Sequence, residues 1–284
     1  MTVPLDAAGC HALWREVIAD EELCDALLSG DAASVVADRC SDPAERSILE
    51  TWAANPAALR WNIVNLRFRG SQDTMFKLRR WMPLTSALLT EGRPGWLLDL
   101  CFEYLAHHRW DELGHRHFAE CRRFADYVTG RVSQRRRLPD HLETVLTYET
   151  AVCALLERSA SVPLEAWGPE HAADSPIHDL RPRPGPVSQL IELDEDITEW
   201  IVNGRPEGAV LDRPLRLLSF VPRLGDTYWV TPLDSGPELV FRRCAGRDTC
   251  GEIADRLAAE VGARAHDILD VLQTWAREGA LVLE

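Results

Sequence analysis

The chain has 284 residues, a formal net charge of −14, and a composition that is 46% hydrophobic and 27% charged. At roughly 150 residues per domain two domains are expected, with ample apolar material for ordinary cores. The acidic balance disfavours nucleic acid and anionic membrane as partners, and no apolar run approaches the roughly 18 residues of a membrane span. The first ten residues also lack a basic segment followed by an apolar one, so a cytoplasmic protein is expected.

From Leu5 to Ser159 the residues read as nearly continuous helix. Ala12 to Ile18 and Leu23 to Leu28 are short amphipathic pieces broken around Ser29-Gly30-Asp31. Ser41-Asp42-Pro43-Ala44-Glu45 is a helix start, with a cap, a proline in the first turn and an acid near the positive end; that helix covers Pro43 to Ala53. Asn55-Pro56 opens the longest helix. Trp61, Val64, Asn65 and Phe68 recur along it at helical spacing, and it runs past Gly70, a possible kink, to Trp81. Helices are also expected over Leu84 to Leu89, over Trp96 to His108, around Phe118 to Val128, and over Pro139 to Ser159.

Residues 161–186 are rich in proline and read as a stiffened linker. Val187 to Leu193 is a candidate strand and Glu195 to Val202 a candidate short helix. Two β-rich runs follow, Leu215 to Val221 and Thr227 to Thr231, which read as a hairpin. Capping boxes at Ser235/Glu238 and Thr249/Glu252 open two helices. A third carries Ile268, Leu269, Leu272, Trp275 and Ala276 on one face, stops near Gly279, and runs into Leu281-Val282-Leu283. The order is that of a winged helix-turn-helix. The expected fold is therefore α+β, mainly α: residues 1–160 helical, 161–186 linker, 187–284 winged helix.

Such modules usually read DNA, but from Leu211 onward there are nine arginines, no lysine and twelve Asp and Glu. The third helix presents Asp267, Asp270 and Glu278 against a single Arg277, which would repel phosphate. The other use of the module is capture of an extended peptide. The residues Glu238-Leu239-Val240-Phe241, Cys250-Gly251-Glu252-Ile253-Ala254, Val271-Leu272, Trp275 and Gly279 to Glu284 resemble the PqqD-like recognition element of pathways that modify ribosomally made peptides. The resemblance implies that a leader peptide adds as a strand to the sheet edge and drops apolar side chains into the groove beside the third helix. Tyr228, Val230, Leu269, Leu272 and Trp275 are the expected peptide-binding residues, with plain core as their other reading.

The helical half, in turn, resembles the DUF2063-type partner proteins of DUF692 enzymes, the multinuclear non-haem iron oxidases that remodel peptide residues. The similarity rests on Trp61, Asn65-Leu66-Arg67-Phe68-Arg69, Leu78-Arg79-Arg80-Trp81-Met82-Pro83-Leu84-Thr85, Leu138-Pro139 and Val145-Leu146-Thr147-Tyr148-Glu149. Methanobactin-type and 3-thiaglutamate-type pathways use partners that combine helical and peptide-binding parts. The two resemblances together imply a non-catalytic subunit that forms a heterodimer with the oxidase and presents the precursor peptide, with iron in the partner enzyme and no cofactor in this chain. Arg67, Arg69, Arg79, Arg80 and Trp81 form the densest basic-aromatic patch and are the expected partner interface, against an ordinary solvated helix face. A winged-helix regulator with a helical sensor domain is one alternative.

A helical metalloenzyme is the other. His107, His108, His115 and His117 cluster with Glu103, Asp111 and Glu112, and a Glu four residues before a His can face a metal. Gly114 interrupts the set, however, and it reads as a solvated helix junction, so no metal site or catalytic residue is assigned. No Gly-x-Gly-x-x-Gly, Walker loop, His-Glu-x-x-His or Gly-x-Ser-x-Gly occurs. The eight cysteines include no Cys-x-x-Cys pair and read as buried reduced thiols. Tyr148-Glu149 reads as a buried hydrogen-bonded pair bracing two helices.

Overall fold

The computed structural model describes residues 6–29, 32–91, 93–108, 110, 117–134, 136–167, 176–222 and 227–284. Among them the protein is α+β with mostly helices and small antiparallel sheets. In chain order the elements are α1 (Ala7–Ala19), α2 (Glu21–Ser29), α3 (Ala32–Arg39), α4 (Pro43–Ala53), α5 (Pro56–Trp81), α6 (Pro83–Thr90), α7 (Trp96–His107), α8 (His117–Tyr127) and α9 (Leu142–Ser159). There follow β1 (Pro182–Pro184), β2 (Ser188–Leu193), α10 (Thr198–Asn203), β3 (Leu215–Phe220), β4 (Trp229–Pro232), α11 (Ser235–Arg243), α12 (Cys250–Val261), α13 (Ala265–Glu278) and β5 (Leu281–Leu283). No helix among the described residues is long and apolar enough to cross a membrane. The chain divides into two compact units, Met1–Arg80 with Leu89–Glu120, and Trp81–Leu88 with Cys121–Glu284.

The first unit is helical. Asp6 caps α1 by accepting from Gly9 N at 2.8 Å, and Asp42 caps α4 through Ala44 N at 2.8 Å, with Pro43 supplying the preset φ of a first turn. Leu13, Val17, Leu23, Leu27, Leu49, Leu59 and Ile63 close one core between α1, α2, α4 and α5. Helix α5 places Leu59, Ile63, Met75 and Leu78 inward. The row that announces this helix in the sequence lies on its other side: Trp61 is 66% exposed, and Val64, Phe68 and Phe76 are exposed with it. Inside the unit, Lys77 reaches Glu120 at 2.6 Å and Asp73 at 2.7 Å, so the chain's only lysine is buried in a paired site.

In the second unit β2, β3 and β4 form an antiparallel sheet in that order, with Leu218 opposite Leu190 on one side and Thr231 on the other. Successive strand residues face opposite ways, which gives β3 two buried faces. Leu218 and Phe220 join the core of α11, α12 and α13, while Leu215 and Leu217 face the side on which α9 packs. Each such buried side chain contributes about 1.5–3 kcal/mol over an exposed one. Gln189 Nε2 ties the sheet to α9 by donating to Ala151 O at 2.8 Å. At the other end of α9's packing, Glu149 accepts from Leu84 N at 2.8 Å and Thr85 N at 2.9 Å, satisfying two orphan donors at the start of α6.

Several expectations change. The segment 176–186 is no free linker: Ile177 enters the core, β1 pairs with β5, and Gly251 N donates to His178 O at 2.9 Å. The candidate strand after residue 187 does join the hairpin, as β2 of a three-stranded sheet, while the final strand pairs with β1. The boundary expected at residue 160 falls within the second compact unit, because α9 covers the sheet. Ser235 does not cap α11. Asp234 takes the N-cap position, and Glu238 turns to Arg242 at 2.8 Å and Arg216 at 3.1 Å, because two guanidiniums outcompete a backbone donor. The capping box at Thr249 and Glu252 forms as expected. All eight thiols are free, seven buried and Cys10 partly so.

Candidate functional site

Strand β4 ends the sheet, and hydrogen-bond parity decides which of its backbone groups are unspent. Leu233 N donates to Arg216 O at 2.8 Å, so the pairs Thr231–Leu218 and Trp229–Phe220 are the bonded ones, and the backbone of Val230 and the carbonyl of Pro232 point away from β3. Pro232, which has no N–H, therefore occupies an outward position where the ladder loses nothing. The other edge differs, since the outward Ser188 carbonyl of β2 is taken by Arg158 at 3.1 Å.

Beside the β4 edge runs a groove of about 290 Å³. Thr231, Pro232 and Leu233 form one bank, Pro237 of α11 one end, and Asp270, Val271, Thr274 and Trp275 of α13 the other bank. The positions 270, 271, 274 and 275 are one face of a helix. Trp275 is held edge-on to Phe241, with ring centroids 5.7 Å apart and planes at 82°, so its position is set by the core. Trp229 lies over the same side, 49% exposed and 6.0 Å from the Phe220 ring. An extended segment laid along β4 would meet two unspent groups of Val230, the Pro232 carbonyl, an apolar floor and one carboxylate, Asp270.

No known protein-family model and no curated protein matches the chain. Its function must therefore be argued from these side chains and backbone groups.

Of the five residues expected to bind peptide, Trp275 lines the groove. Leu269 is half-buried against the core, and Leu272 is fully enclosed, supporting the groove from beneath. Tyr228 and Val230 follow the opposite parity to Trp229 and Thr231: Val230 pairs with Ser219, on the α9 side of the sheet. Tyr228 there interacts with the Tyr148 phenol of α9, and burial pushes both phenols upward in pKa. A one-residue shift in a strand exchanges its faces, so Trp229 and Thr231 take the places expected of Tyr228 and Val230. The sequence held no signal that separated them, because only the ladder register, Phe220 opposite Trp229, puts Trp229 on the helix side.

The expected partner patch also separates. Arg67 donates to Ile18 O at 3.2 Å and lies 5.2 Å over the Trp110 ring, which makes it a brace inside the first unit. Arg69, Arg79 and Arg80 are exposed on α5, and half-buried Trp81 belongs to the second unit. Among the His set, the His107 and His108 rings lie 5.0 Å apart, while His115, Asp111 and Glu112 fall outside the described residues. No group of three potential metal ligands is assembled among the described residues.

Proposed function

We propose that the chain is a non-catalytic partner subunit that captures the leader of a ribosomally made precursor peptide and presents the peptide to a DUF692-type iron oxidase. The observation that carries this reading is the unspent β4 edge lying beside the α13 groove. Main-chain pairing to Val230 supplies affinity for any extended peptide, and the groove between Thr231 and Trp275 selects alternate side chains. The sheet β2–β4 with α11, α12 and α13 has the strand and helix order of the PqqD-like winged-helix module, which supports the same use.

The oxidase docks, on this reading, along the exposed α5 row of Trp61, Val64, Phe68 and Phe76, flanked by Arg79 and Arg80. Exposed aromatic residues beside arginine are the side chains that anchor interfaces. Tethering the peptide raises its local concentration to about the millimolar range for a short flexible link, so modest leader affinity suffices. Iron belongs to the enzyme, and this chain contributes binding alone.

Co-expression with a DUF692-type oxidase and its precursor peptide tests the proposal. Purified through a tag on this chain, the complex should carry the peptide, the oxidase and iron, and the chain alone should carry no iron. Iron in the isolated chain, or peptide retention that survives blocking of the β4 edge, would overturn it.

A further inference from the structure

A second cavity lies in the first compact unit. It occupies about 560 Å³ between α1, α4 and α5, a size suited to a small organic ligand. Trp14 and Trp52 form one wall, edge to face at 5.3 Å and 84°, and Leu66 extends the apolar surface. The opposite wall is polar. Asn65 and Arg69 project into the cavity from α5, and neither makes a hydrogen bond or ion pair among the described residues. The carboxylate one turn beyond Arg69, Asp73, is held by Lys77 at 2.7 Å, which leaves the guanidinium without a counter-charge among the described residues. Asn62 donates through Nδ2 to Ala58 O at 2.9 Å, so its Oδ1 remains as an acceptor facing the same space.

We infer that this cavity binds an apolar amino acid residue through its side chain, its amide N–H and its free carboxylate. The indole wall takes the side chain, Asn62 Oδ1 accepts the amide N–H, and Arg69 pairs with the carboxylate while Asn65 donates beside it. One unpaired arginine suits a monoanion: in a chain of net charge −14, a phosphate dianion would meet a repulsive field with a single cation to offset it. The same chemistry is offered by a free N-acyl amino acid and by the C-terminal residue of a polypeptide. The site is independent of the leader-binding proposal.

Calorimetric titration of the intact chain with N-acetyl-phenylalanine, with its C-terminal amide, and with a tetrapeptide ending in phenylalanine tests the inference. The acid should bind about tenfold more tightly than the amide, the difference a charge-assisted pair supplies. Arg69→Gln should abolish that preference, and Arg69 is exposed, so the variant keeps its fold. Tighter binding of the tetrapeptide assigns the source as a chain terminus, and tighter binding of the single acid assigns a free N-acyl amino acid; both uphold the site. Equal binding of acid and amide, an acid preference that survives Arg69→Gln, or no heat from any of the three overturns it.

Discussion

Glu149 is the residue whose environment departs furthest from that of an ordinary carboxylate. Burial pushes its pKa up to about 7, against the pull of the two backbone donors at the start of α6. A folded-state pKa above the unfolded one means that the native state holds the extra proton. This contribution to stability is therefore full below pH ~4.5 and is lost as pH rises through about 7. The wild-type chain should lose about 3 kcal/mol from this group between those limits, and Glu149→Gln should remove that slope. Denaturant unfolding at pH 5 and pH 8 checks it; equal slopes in the two proteins would refute the assignment. Its neighbour Tyr148 meets a separate partner, Tyr228, because adjacent helix residues point about 100° apart, and a Tyr148→Phe change, which removes that buried hydroxyl, should shift stability by no more than about 1.5 kcal/mol by the same assay. The burial of both residues was legible in the sequence as two adjacent polar residues on an apolar helix face, but only Glu149 braces a second helix. Their separate partners, on α6 and beside β4, were not legible, since both come from distant parts of the chain.

At the scale of elements, helix ends were the most legible features, because a cap is a short-range hydrogen bond written within four residues. The Thr249 box holds both reciprocal bonds, Glu252 N to Thr249 Oγ1 at 3.2 Å and Thr249 N to Glu252 Oε2 at 2.8 Å. Thr249→Ala should cost about 1 kcal/mol in a thermal or denaturant melt. Strand faces were less legible, for alternation gives two answers and the ladder chooses one. The choice can be tested on β4: Val230→Pro removes an outward N–H without touching the pairs to β3, so peptide binding should weaken at least about tenfold while stability changes little. Fluorescence anisotropy of a labelled precursor peptide reads the first effect and a melt the second. Unchanged binding would mean that the peptide, if it binds, does so away from this edge.

For the whole molecule, the instructive feature is the sheet that is buried on both faces. A chain cut at residue 187 keeps β2 to β5 and α10 to α13 but loses α9 and β1, exposing Ile191, Leu193, Leu215 and Leu217 and unpairing β5. The 187–284 fragment should therefore unfold without a cooperative transition and bind hydrophobic dyes, and extension back to Cys121 should restore cooperativity in a circular-dichroism melt. Most helices, the acidic balance, the Thr249 capping box and the order of the last three helices were determined by the sequence itself, because each depends on residues within a turn or two. Tertiary structure alone decided that α9 shares a unit with the sheet, that 176–186 is built into the fold, that β5 pairs with β1, and that Trp229 and not Tyr228 shares the side of Phe220. Those outcomes depend on pairings between residues as much as a hundred positions apart, and a local pattern fits more than one of them.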